Sequence, residues 1–149
     1  MTIPGDVRAL LDAPNYVHLS TLRADGSPRN HVVWVGLEDE HVLVCTAAWS
    51  WKARDMTRDP RVALSVVEIE NPYQMAALQG RVIEVRSDED CRYMDLISLK
   101  YTGAPFPDRG PHRVCFVIEI HRAGQRTLSF VHHPGDPRRE PARDGGSAR

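Results

Sequence analysis

The sequence predicts a mainly β, antiparallel fold with a few helices, and three observations predict it. About seven segments are rich in Val, Ile, Leu and Thr and alternate apolar with polar residues, the pattern of half-buried strands. The connections between them are short and built from Asp, Gly, Pro and Asn, which suits hairpins rather than the long crossovers parallel strands need. Only three stretches show helical spacing. Periodicity by itself does not separate a barrel from a sandwich.

Taken in order, Asp6–Asp12 reads as a short helix with Val7, Leu10 and Leu11 on one face, stopped by Pro14. Tyr16–Arg23 is a strand in which Val17, Leu19 and Thr21 alternate against His18, Ser20 and Leu22. Ala24-Asp25-Gly26-Ser27 is a hairpin signal, since Asp-Gly tolerates the positive φ angles of a tight turn. Pro28 sits at a strand start, where its missing N–H does least harm. The following strand is expected as one piece, Asn30–Leu37, turning through Glu38-Asp39-Glu40 into His41–Thr46.

Ser50 to Asp59 reads as a short helix, capped by the Ser50 hydroxyl and ended by Pro60. A strand from Val62 to Ile69 follows, then a turn at Asn71-Pro72-Tyr73 and a long strand, Gln74–Arg86, bent at Gly80. Ser87 is expected to cap a helix with an acidic first turn, Asp88-Glu89-Asp90. That helix would carry Cys91, Met94, Ile97 and Tyr101 on one face and stop at Gly103 and Pro105. Pro105–Pro111 is an exposed loop, and Arg113–Ile120 and Arg126–Val131 form a closing pair of strands. From His132 the composition collapses to Pro, Arg, Asp, Gly and Ser. The expectation is a single domain over 1–131 and a disordered tail over 132–149.

Composition narrows the function. With 149 residues, 42% of them hydrophobic and 26% charged, the chain fits one globular core. A net charge of −1 gives no electrostatic case for nucleic acid. No apolar run is long enough to span a membrane, and MTIPGDVRALL lacks a signal-peptide pattern, so the cytoplasm is the expected compartment. Cys45, Cys91 and Cys115 are odd in number and widely spaced, which reads as buried free thiols. Seven histidines form no H-E-x-x-H or compact His/Cys cluster, and no metal is expected. The chain has no G-x-S-x-G, no G-x-G-x-x-G and no Walker loop.

The informative stretch is Leu43 to Val66, LVCTAAWSWKARDMTRDPRVALSV. Two strands flank the short helix, and Lys52 falls in its first turn. A lysine there opposes the positive end of the helix dipole. The arrangement makes sense when free N–H groups, the Ser50 hydroxyl and the ammonium converge on a phosphate. The competing reading is a solvated lysine on an exposed helix. Trp34, Trp49 and Trp51 are equally two-sided, as core or interface aromatics or as walls beside a planar ring.

The run T-x-x-x-S-x-K-x-R…D-P-R-V-A-L from Thr46 resembles the phosphate-binding segment of the pyridoxamine 5′-phosphate oxidase-like split β-barrel family. Further matches are D-G-S-P at Asp25–Pro28, ahead of His31–Leu37, and N-P-Y-Q at Asn71–Gln74, leading into L-Q-G-R-V-I-E-V from Leu78. The ordered set spans about residues 16 to 131. It is most similar to the actinobacterial branch that binds the deazaflavin coenzyme F-420. The FMN branch typically has arginine before the motif lysine, where this chain has Trp51.

The resemblance implies a split β-barrel and an oxidoreductase that moves a hydride between the deazaflavin and a small organic acceptor. It implies a homodimer with the cofactor at the interface. Ser50 and Lys52 would hold the phosphate, aided by backbone around Thr46 and Ala47. Pro28, Arg29, Val32 and Val33 would form the bed of the ring, with Trp51 and Tyr73 beside it. Arg29 or Arg54 would reach an acidic tail. No catalytic side chain is assigned. The alternatives are an FMN-binding oxidoreductase of the same fold and a non-catalytic module that carries a flavin or tetrapyrrole.

Overall fold

The computed structural model describes residues 1–135, so most of the expected tail lies outside the described residues. Seven strands form one sheet: β1 (Val17–Leu22), β2 (Pro28–Val33), β3 (Gly36–Glu38), β4 (His41–Ala47), β5 (Arg61–Val67), β6 (Gln74–Ser87) and β7 (Arg113–Thr127). Their order is β2-β1-β5-β6-β7-β4-β3, and every neighbouring pair is antiparallel. The two ends of this order, β2 and β3, are consecutive in the chain and joined through Trp34 and Val35. The sheet therefore curls into a barrel split along one side, and the fold class predicted from the sequence holds.

The curl depends on β6 and β7, which are long enough to serve both halves of the barrel. Their register shifts between Gln79 and Gly80 and again between Val82 and Glu84, and such bulges bend and twist a ladder. Gly80 is required at the first of them, because a Cβ there would run into the Glu119 carbonyl oxygen. The Asp-Gly turn between β1 and β2 also forms as expected, with Gly26 at φ +83° and the Ser27 amide donating to Asp25 Oδ1 over 2.9 Å.

Alternation divides the strands between two apolar layers. Val42, Val44, Phe116 and Ile118 face the barrel interior with Val17, Leu19, Leu64 and Leu78, and α1 (Gly5–Asp12) plugs it with Val7, Leu10 and Leu11. The opposite faces of β4 and β7 present Leu43, Cys45, Cys115 and Val117 to a second layer under α3 (Met94–Thr102), which supplies Met94, Ile97 and Tyr101. Gly36 lets α3 approach: a Cβ there would lie 2.9 Å from Ile97 Cγ1. Lys100 Nζ donates to Leu11 O at 2.8 Å and Val35 O at 2.6 Å, and Tyr101 Oη donates to Asn15 O at 2.6 Å. These bonds tie α3 to α1 and to the β2–β3 link.

Three expectations are corrected. The piece from Asn30 to Leu37 is two strands, because the chain must leave one sheet edge at Val33 and rejoin the other at Gly36. The helix expected from Ser87 starts at Met94. Buried Asp88, rather than Ser87, caps it by accepting from the Tyr93 and Met94 amides, and Cys91 stands before the helix at φ +57°. The closing pair of strands is a single strand, Arg113–Thr127, whose polar second half pairs with Gln74–Gln79.

Candidate functional site

α2 (Trp51–Arg58) connects β4 to β5 and lies beside the split. The Ser50 hydroxyl caps it, accepting from the Ala53 amide at 3.2 Å and from Thr46 Oγ1 at 3.0 Å. This fixes the first turn, and with it Lys52, against the end of β4. A cleft of about 290 Å³ opens there, lined by Val32, Val33 and Trp34 from the end of β2, Cys45 and Thr46 from β4, Lys52 from α2, Met94, Phe106 and Arg113.

The cleft is electrostatically one-sided. Lys52 is half-buried and forms no hydrogen bond or ion pair among the described residues. Burial pushes its ammonium below the usual lysine range, and the nearby Arg113 guanidinium adds to the effect. Arg113 is 5% exposed, and its Nε has no hydrogen-bond partner among the described residues. Its guanidinium stacks 4.7 Å from the Phe106 ring centre, and the nearest carboxylate, Asp108, is 3.6 Å away and shared with His112. One half-buried and one buried cation share a single loosely placed counter-ion, and because burying a charge is costly unless it is paired, they leave donors free for an anion. A phosphate-bearing cofactor fits this donor set.

The apolar wall of the cleft is aromatic. Trp34 stacks on Tyr101 with ring centres 5.1 Å apart and meets Phe106 edge-on at 6.5 Å. Val32, by contrast, is 62% exposed at its rim. A flat ring has an apolar bed available here.

On the other side of α2, the Arg29 and Arg54 guanidinium groups lie over the Trp51 ring, 5.0 and 5.1 Å from its centre. Asp55, 1% exposed, accepts from Thr21 Oγ1 at 2.8 Å, Arg29 Nε at 2.7 Å and Arg58 at 2.9 Å. Burial raises its carboxyl, but these donors outweigh it and hold Asp55 below the usual carboxylate range. Arg23, Arg29, Arg54 and Arg58 thus line a second depression beside Trp51.

Of the residues singled out in the sequence, the structure brings Thr46, Lys52, Val32 and Val33 together around the cleft, with Ser50 bonded to Thr46 and Ala47 paired with Arg113. Trp51, Arg29 and Arg54 belong to the neighbouring basic depression. Pro28 lines a separate apolar hollow with Val62 and His121. Tyr73 packs on Phe130, 5.3 Å between ring centres, and does not line the cleft. Arg113, Phe106, Met94 and Cys45 were not anticipated. The available signal for Arg113 was a lone arginine entering a run of otherwise apolar residues, Val114 to Ile118.

Among the described residues no helix is long and apolar enough to cross a membrane, and no group of three His, Cys, Asp or Glu side chains is placed to hold a metal ion. Similarity to known proteins agrees with the fold. A pyridoxine/pyridoxamine 5′-phosphate oxidase of Cupriavidus taiwanensis is 34% identical over 88 residues, which is 58% of this chain and 41% of that protein. One of Burkholderia multivorans is 35% identical over 86 residues, 57% of this chain and 40% of the relative. The matched part therefore spans about two-fifths of those relatives.

Among solved structures, an F-420 reductase superposes with a TM-score of 0.75 and 26% identity, covering 82% of this chain and 98% of its own. A conserved hypothetical protein of Mycobacterium tuberculosis gives a TM-score of 0.69 at 20% identity, covering 91% and 94%, and bears on the fold alone. Residues 3–127 match the pyridoxamine 5′-phosphate oxidase family, which takes in all seven strands, α2 and both cations of the cleft, and the chain belongs to that family.

Proposed function

We propose that this protein is an oxidoreductase that uses the deazaflavin coenzyme F-420, held in the cleft between α2 and the β2–β3 link. The observation that carries this reading is the pair of desolvated, under-neutralised cations, Lys52 and Arg113. They receive the cofactor phosphate, and Ser50 and Thr46 fix the helix turn that presents Lys52. Val32, Val33 and Trp34 form the apolar bed of the ring. Arg29 and Arg54, both stacked near the Trp51 ring, suit an acidic tail leaving the cleft. The bound deazaflavin supplies a hydride to a small organic acceptor. The fold neighbour named as an F-420 reductase supports this choice of cofactor.

The protein functions as a homodimer in this reading. Val32 at the cleft rim and Trp49 and Trp51 at the start of α2 are each about 60% exposed, and a second subunit would cover them. The domain ends near residue 131, with the remainder a dispensable tail. FMN is the second reading, favoured by the relatives named as pyridoxine/pyridoxamine 5′-phosphate oxidases.

Titrating the purified protein with F-420 and with FMN, followed by absorbance and fluorescence, tests the assignment. F-420 is expected to bind at least about tenfold more tightly, a difference of ~1.4 kcal/mol. The reverse order installs the FMN reading. Tight binding without oxidation of the reduced cofactor by any of a panel of acceptors makes the protein a carrier, and failure to bind either sinks the site.

A further inference from the structure

Cys45 and Cys115 are register partners on β4 and β7. The Ala48 amide donates to the His112 carbonyl at 2.8 Å, so the pair 48 and 112 is a hydrogen-bonded one. Hydrogen-bonded and non-hydrogen-bonded pairs alternate along an antiparallel ladder. Counting back three steps makes Cys45 and Cys115 a non-hydrogen-bonded pair, the closer kind, with Cα atoms roughly 4.5 Å apart. A disulfide needs Cα atoms about 4.4–6.8 Å apart. Both side chains belong to the outer layer under α3, so they face the same way. Cys45 is half-buried and forms part of the cleft wall, whereas Cys115 is fully buried behind it. Cys91, also buried, turns its thiol to the Asp108 carbonyl at 3.5 Å.

We propose that Cys45 and Cys115 are a redox-active dithiol in the wall of the cleft, which closes to an intrachain disulfide on reaction with a small organic disulfide. Cys45 meets the oxidant through the cleft. Its thiolate attacks one sulfur, forming a mixed disulfide and releasing one small thiolate. The Cys115 thiolate then attacks the Cys45 sulfur and releases the second. Two protons and two electrons leave the protein pair, and the small disulfide is reduced to two thiols. The second step is intramolecular, so the burial of Cys115 does not prevent it.

The Cys115 thiol alongside and burial push the Cys45 thiol up, and the Asp88 carboxylate acts in the same direction. The attacking thiolate is therefore scarce at neutral pH, and closure runs faster near pH 9 than near pH 7. The reduced pair is stable in a reducing compartment and responds to sustained oxidation. The closed form ties β4 to β7 next to Thr46 and Arg113, the two strand ends that frame the anion site.

The test treats the folded full-length chain, fully reduced and then freed of reductant, with 2,2′-dithiodipyridine. The expected result is release of two thiopyridones per chain, a product lighter than the reduced chain by two hydrogens, and peptide mapping that joins Cys45 to Cys115 with Cys91 free. Cys115→Ser is expected to stop at the mixed disulfide on Cys45 after one release, and Cys45→Ser to release none while folded. The oxidised wild type is expected to melt at a higher temperature and to return to the reduced value with dithiothreitol. Persistence of the mixed disulfide in the wild type, a cross-link to Cys91 or between chains, or no reaction of the folded chain near pH 9 would overturn the proposal.

Discussion

On one side of α2, Asp55 is buried with three donors around it, and Arg29, Arg58 and Thr21 each have a partner. On the other side, half-buried Lys52 and buried Arg113 have no comparable compensation. The same short helix thus carries one charge cluster that is complete in the protein and another that is not. A complete cluster holds elements together: Asp55 links β1, β2 and α2. An incomplete one costs stability in the empty protein and recovers it when an anion arrives. Satisfaction of the charges, rather than their number, separates the structural cluster from the one proposed to bind an anion.

The largest effect expected from breaking this comparison is at Asp55. Asp55→Ala leaves Arg29 and Thr21 without their partner beneath α2, and removing one member of a buried pair costs roughly 3–5 kcal/mol. Chemical denaturation of the cofactor-free protein measures it, and a loss below about 1 kcal/mol would place Asp55 among ordinary surface pairs.

Lys52→Ala is expected to do the opposite. Stability of the cofactor-free protein holds or rises slightly, while binding loses roughly 1.5–3 kcal/mol, about ten- to hundredfold in Kd. Unchanged affinity in a folded variant removes Lys52 from the site. Ser50→Ala combines both kinds of loss: about 0.5–2 kcal/mol of stability through the missing cap, with weaker binding because the Lys52 turn loosens.

The smallest effect is at His31, half-buried on β2, whose Nε2 has no partner among the described residues. Burial holds its imidazole below the ordinary value of 6.5; Lys52, Arg29 and Arg23 push the same way, and Asp55 opposes them. The folded chain therefore binds fewer protons than the unfolded chain just below pH 6.5, so stability is retained above that value and lost as pH falls through the lowered one. His31→Gln flattens this acid limb of the unfolding midpoint against pH, and Lys52→Ala makes it shallower by removing one opposing charge. An identical acid limb in wild type and His31→Gln excludes the imidazole as its source.

The Asp-Gly turn and the cap at Ser50 were legible because each rests on contacts local in sequence, and the bulge because a glycine inside a strand marks one whatever strand faces it. The division of Asn30–Leu37 into two strands was not: it depends on which sheet edge each half joins, and alternation through Val33, Trp34 and Val35 is blind to that. Asp88 outcompeted Ser87 as a cap because its carboxylate reaches two amides at once. Lys52 was legible from its place in a first turn. Arg113 was hidden because its meaning comes from its ladder partner Ala47 on β4, 66 positions away in sequence.

The connection through Trp34 and Val35 has a mechanical consequence. Because β2 and β3 bound the sheet at its two ends, the barrel is sewn shut along that line by covalent chain and side-chain packing, with no ladder between the two edges. Trp34 is the stitch next to the cleft, pressed on Tyr101 of α3. The opening can be prised wider by sliding one aromatic ring over another, at the expense of dispersion contacts and not of interstrand hydrogen bonds. That seam is the one line whose yielding leaves all six ladders intact.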